Sequence, residues 1–211
     1  MDNGRIPEAT VARLRMLRYQ LNPHFFFNAL NTIGALADED PGRVKTAVRE
    51  LSGFLRYTLL DEDGTEAALD DEMRAVGHYL AVEKIRFEDD LQVTVDVSPE
   101  AGRHPVPAFL VLPLVENAVK HGQRTSPSPL RIRITGRCDE DTLVLEVANT
   151  GHWREERTAT PGTDTGLDNV RTRLRTRYPD RHRLTKTADD GWVRVRIEID
   201  VSAIDAADRH A

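Results

Sequence analysis

Leu112-Pro113-Leu114-Val115-Glu116-Asn117-Ala118-Val119-Lys120-His121-Gly122 is the most informative stretch of this 211-residue chain. Its apolar spacing predicts a helix whose Leu112, Val115 and Val119 point to a core, with Asn117, Lys120 and His121 sharing another side. An amide oxygen there can complete the octahedral shell of a phosphate-bound Mg²⁺, and a lysine one turn later can meet phosphate charge. On an arbitrary helix the same pattern would be a solvated polar face, so the neighbouring segments decide its meaning.

Two later segments bear on it. Val147-Ala148-Asn149-Thr150-Gly151 ends an alternating stretch with a polar side chain and a glycine, which read either as a turn or as a place where a base is met by hydrogen bonds. Gly162-Thr163-Asp164-Thr165-Gly166-Leu167-Asp168-Asn169 is a glycine-containing loop running into a helix, whose free N–H groups and positive dipole end can hold phosphate oxygens. Strands are expected at Leu91–Val97, Leu130–Ile134, Leu143–Val147 and Val193–Ile199, with helices opening at Pro107 and near Gly166. That order predicts an α+β sandwich with helices over one face of a largely antiparallel sheet.

Upstream, Val11, Leu14, Leu17, Leu21, Phe25, Ile33 and Leu36 recur at helical spacing, with Pro23 expected to kink the helix. Asp40-Pro41 reads as a helix start, followed by Val44, Val48, Leu51, Leu55 and Leu59 on one face. Two such helices form a hairpin that gains most by pairing with a second copy into a four-helix bundle. A third helix is expected over Asp70–Phe87, after a turn at Asp61–Thr65, and the tail Ala203–Ala211 should fray.

Hydrophobic residues make up 39% of the chain and charged residues 30%, and no apolar run approaches the ~20 residues that span a bilayer. Neither is there an apolar signal-peptide stretch at the start. A net charge of -6 argues against direct nucleic-acid binding. Cys138 is the single cysteine, so an intramolecular disulfide is excluded and a cytoplasmic setting is expected.

The three segments, in this order, resemble the N, G1 and G2 boxes of the GHKL ATPases, which include histidine kinases, Hsp90, gyrase and MutL. Among these the first helix discriminates: Leu17-Arg18-Tyr19-Gln20-Leu21-Asn22-Pro23-His24-Phe25-Phe26-Phe27-Asn28-Ala29-Leu30-Asn31 resembles the phosphoacceptor segment of the LytS/YehU-type sensor histidine kinase family, and Tyr79-Leu80-Ala81-Val82-Glu83-Lys84-Ile85-Arg86-Phe87 resembles its linking helix. The resemblance implies a helical dimerisation and phosphoacceptor segment over residues 8–66 and a GHKL (Bergerat-type) ATP-binding domain over 67–202. It implies ATP and Mg²⁺ as cofactors, His24 as phosphoacceptor, Asn117 as the Mg²⁺ ligand and Asn149 facing adenine. Gly162, Thr163 and Gly166 would belong to a lid over the phosphates. Lys120, His121, Gly122, Gly151, Leu167 and Asn169 would be further nucleotide contacts, and Glu116 is the family analogue of a base. Implied partners are a second copy and the receiver domain of a response regulator, in this family often one with a LytTR DNA-binding domain. Family members usually carry transmembrane helices upstream, which implies membrane anchoring of a full-length protein.

A neutral imidazole can attack the γ-phosphorus without the strong base a serine needs. Three positions depart from the pattern. Phe25, not an acid, follows His24; Asn149 and Trp153 replace the G1 aspartate and second glycine; Asp164 stands where a lid glycine is usual. These departures keep open a second reading, a non-catalytic dimerising signalling module.

Overall fold

The computed structural model describes residues 23–60, 66–153 and 165–202, and the chain divides into two compact units, residues 1–63 with 77–86 and residues 64–76 with 87–211. In the first unit α1 (Pro23–Leu36) and α2 (Pro41–Leu60) form an antiparallel hairpin. The described part of α1 begins at Pro23. The expected kink concerns residues 11–22, outside the described ones. Asp40 caps α2 as its sequence announces, its Oδ1 accepting from the N–H groups of Gly42 and Arg43 at 3.0 Å each.

The hairpin closes on aromatic rings. Phe25 lies 5.1 Å from Phe54 and 4.8 Å from Tyr79 between centroids, and all three are buried. Tyr79 belongs to the later turns of α3 (Leu69–Phe87), a helix whose residues 77–86 fall in this unit and whose start falls in the other. Arg43 Nη2 donates to the Ile85 carbonyl at 3.0 Å, and His78 Nδ1 lies 2.8 Å from Glu50 Oε2. Gly53 permits this approach, since a Cβ there would stand 2.6 Å from the His78 ring.

The second unit is built on a sheet of β2 (Leu91–Val97), β4 (Leu130–Asp139), β5 (Thr142–Thr150), β7 (Trp192–Asp200) and β6 (His182–Asp189), in that spatial order. Only the β2–β4 pair is parallel. One face is apolar and covered: Ile132, Ile134, Leu143, Leu145, Val147, Val195 and Ile197 are buried, beneath α5 (Leu112–Thr125) and α6 (Thr165–Arg177), which contribute Leu114, Val115, Ala118, Val119, Val170 and Leu174. Each Val, Leu or Ile among them gains about 1.5–3 kcal/mol on burial. The mixed α+β architecture agrees with the sequence reading.

One local expectation is corrected. Pro107 does not open a helix. It ends β3 (Pro105–Pro107), paired with β1 (Glu66–Ala68), and the helix begins at Leu112. The chain between is turned by Phe109 at φ 59 and held by Glu72, a fully buried carboxylate accepting from Phe109 N–H at 2.6 Å and Val111 N–H at 2.9 Å. The edge strand β6 and the short helix α4 (Pro99–Arg103), capped by Ser98, carry too little apolar patterning to be read from sequence.

Candidate functional site

α5 and α6 cover the sheet, and α5 is approached by the start of α6 on one side and by the end of β5 on another. A Cβ built on Gly166, in the first turn of α6, would lie 3.7 Å from Asn117 Nδ2 and 3.6 Å from Pro113 Cβ. At the other end of α5 a Cβ on Gly122 would be 3.3 Å from Asn149 Nδ2 and would clash with Leu130 at 2.5 Å. The segments that are far apart in sequence therefore converge in pairs, Asn117 with Gly166 and Gly122 with Asn149.

Asn149 is 5% exposed, and its Nδ2 donates to the Thr150 carbonyl at 2.8 Å, so the carbonyl oxygen of the amide is turned to the other side. Gly151 follows at φ +125, a conformation open to glycine; a Cβ there would collide with Thr125 Oγ1 and sit 3.2 Å from Ser126 N. Its N–H donates to Gly191 O at 2.8 Å, and Thr150 Oγ1 lies 2.6 Å from Ser126 Oγ. The first bond ties the strand end to the turn between β6 and β7, and the second holds it against the C-terminal end of α5.

Lys120 and Asn169 are exposed, and Glu116 and His121 are half-buried. Leu167 is a core residue at 4% exposure, so its side chain faces the sheet and its backbone alone is offered to a ligand. Gly162 and Thr163 lie outside the described residues. Trp153, the residue in place of a glycine, stands 6.2 Å from the His121 ring, with Lys186 Nζ over its own ring. Among the described residues no group of three His, Cys, Asp or Glu could cage a metal ion.

In the helical unit His24 is exposed on α1, and Asn28, one turn on, places Nδ2 3.1 Å from Nδ1 and 3.4 Å from Nε2. The neighbouring Phe25 is 3% exposed and is a core anchor, which explains why an acid does not follow the histidine. Glu83, which the sequence reading passed over as part of a linking helix, is 5% exposed and pairs with Arg86 Nη2 at 2.5 Å. Burial pushes its carboxyl above the ordinary value, opposed by the charge and hydrogen bond of Arg86, a hydrogen bond from Tyr79 and the charge of His24.

Residues 12–91 match the histidine kinase family. The chain is 34% identical over 192 residues to the sensor histidine kinase BtsS of Escherichia coli K12, covering 90% of this chain and 34% of that one. It is 34% identical over 181 residues to the sensor protein LytS of Streptococcus agalactiae serotype V, covering 81% and 31%. The chain thus spans about a third of the length of these curated relatives. Among solved structures, the histidine kinase domain of the Erythrobacter litoralis EL346 blue-light activated histidine kinase superposes with TM-score 0.52 at 15% identity, covering 90% of this chain and 92% of that one. The catalytic domain of histidine kinase ThkA gives 0.50 at 22%, covering 65% and 95%. The fold is that of these histidine kinase domains. The family match thus covers residues 12–91, and over most of its length the chain is similar to sensor histidine kinases of the LytS type.

Proposed function

We propose that this chain is the phosphoacceptor and ATP-binding part of a two-component sensor histidine kinase, which transfers the γ-phosphoryl group of ATP to His24 and then to an aspartate of a response regulator. The observation that carries the reading is the approach of Gly166 to Asn117 and of Asn149 to Gly122 along the one helix α5. We assign residues 8–66 to dimerisation and phosphoacceptance and 67–202 to ATP binding.

Asn149 accepts from the adenine amino group through its amide oxygen, its nitrogen being turned to Thr150. An amide accepts more weakly than the carboxylate usual here, so ATP affinity is modest. Gly122 and Gly151 keep the cradle free of side-chain bulk. The N-terminal turn of α6, with Gly166, Leu167 and Asn169, offers backbone N–H groups to phosphate, together with Gly162 and Thr163 before it. Lys120 supplies charge and His121, beside Trp153, borders the cradle.

Asn117 would hold Mg²⁺ through its amide oxygen, the ion keeping water and substrate phosphates as its other ligands. Bound there, Mg²⁺ would neutralise phosphate charge. The exposed imidazole of His24 attacks in line, and transfer depends on positioning. Glu116 remains a candidate base. Phe27, Leu30 and Val48, at 68%, 57% and 47% exposure, supply apolar surface on the hairpin for a second copy. The phosphorylated partner is a receiver domain, with or without a LytTR DNA-binding domain. No described helix is long and apolar enough to cross a membrane, and we assign any anchoring to a segment upstream.

The test is incubation of the chain with γ-labelled ATP and Mg²⁺ beside His24→Ala and Asn117→Ala. Acid-labile, alkali-stable label is expected on the parent chain, none on His24→Ala, and roughly a hundredfold slower labelling of Asn117→Ala. Label surviving in His24→Ala would overturn the assignment. ATP binding without label would favour the non-catalytic module, the reading that Trp153 in the G1 position supports.

A further inference from the structure

We propose that Glu83, held by Arg86, is the carboxylate that positions and electrostatically supports His24 during phosphoryl transfer, the task an acid beside the acceptor performs in many histidine kinases. The inference rests on the reading of His24 as phosphoacceptor and deepens it.

Phe25 is committed to the aromatic cluster with Phe54 and Tyr79, so an acid for the imidazole has to come from elsewhere in space. α3 brings one. Phe25, Asn28, Ala29, Val82, Glu83 and Arg86 line a single cleft between α1 and α3 within the helical unit. Asn28 is the shared member: it lines the same cleft as Glu83 and places its amide 3.1 Å from His24 Nδ1. The titratable and charged groups that face Glu83 are Arg86 and Tyr79 on its own helix and His24 on α1. A carboxylate buried to 5% exposure loses most of its hydration, which Arg86 offsets in part. In such surroundings its field on a nearby cation is screened far less than in water.

Attack on the γ-phosphorus forms an N–P bond as the P–O bond to ADP breaks. Until the other ring nitrogen sheds its proton to water, the ring carries positive charge. Glu83 stabilises that charge, and Asn28 sets the ring's orientation between its two hydrogen-bonding nitrogens.

The experiment measures single-turnover labelling at saturating Mg-ATP from pH 5 to pH 9 for the parent chain, Glu83→Gln and Glu83→Gln/Arg86→Gln, with ATP affinity measured in parallel. The expected result is ATP affinity within twofold of the parent and labelling slowed roughly tenfold to a hundredfold at pH 8. The sign with pH follows from the ionised form being the active one. Because burial raises the carboxyl's pKa, the parent loses Glu83's help as pH falls through that raised value, and its advantage over Glu83→Gln should shrink toward one. A merely structural pair would give a ratio that is flat with pH. The double variant removes the lone buried charge and is judged by the same criteria if Glu83→Gln does not fold. Labelling within twofold of the parent, or a pH-independent ratio, overturns the inference while leaving His24 as acceptor. Label that persists in His24→Ala sinks the acceptor reading and this inference with it.

Discussion

Glu72 and Glu83 are buried carboxylates on the same helix, one in the sheet unit and one in the helical unit, and their partners differ in kind. Glu72 accepts from two backbone N–H groups, those of Phe109 and Val111, which are fixed by the turn into α5. Glu83 is paired with a side chain on its own helix and shares a cleft with the residue that touches His24. A carboxylate whose donors are backbone groups is a strut, since any change leaves those donors unsatisfied. One held by a side chain keeps a field that other charges feel.

The sharpest break of that comparison is Glu72→Ala. It strands two buried N–H groups, each worth about 1–3 kcal/mol, and should destabilise the sheet unit by about 3–5 kcal/mol in denaturant unfolding. A loss below about 1 kcal/mol would remove the distinction between strut and field.

Gly151→Ala comes next. At φ +125, against Thr125 and Ser126, a methyl should cost about 1–3 kcal/mol and weaken nucleotide binding by displacing the end of β5. Binding lost with stability intact would mean that Gly151 meets the nucleotide directly.

The smallest effect is expected from the partly exposed pair Glu50–His78, which ties α2 to α3. Glu50→Gln should cost about 1 kcal/mol at pH 7. The His78 hydrogen bond holds the Glu50 carboxyl below its ordinary value, so this contribution is present above the unfolded pKa and fades as pH falls through the lower folded one. Thermal melts at pH 7 and pH 3 should show the parent and variant converging at the acid end.

Much of this was legible from residue order. The alternation of Leu130, Ile132 and Ile134 and of Leu143, Leu145 and Val147 announced strands because one face of each is buried, and period two is then enforced by water. Asp40-Pro41 announced α2 because capping is local. His182–Asp189 did not announce β6: it pairs only with β7, and an exposed edge needs no apolar face. Pro107 misled because a proline suits the start of a helix and an edge strand equally, and here pairing with Glu66 decided.

What the sequence by itself determined is therefore the set of locally encoded elements and the residue types suited to phosphate and base, down to Asn117, Asn149 and Gly166. Their convergence belongs to tertiary structure, because it depends on α5 and α6 both folding onto one face of the sheet and on glycines admitting the close approach. The acid beside the acceptor segment lies still further from sequence reading. Glu83 follows His24 by 59 positions, and packing of α3 against α1 gives it a low-dielectric site where its charge can act.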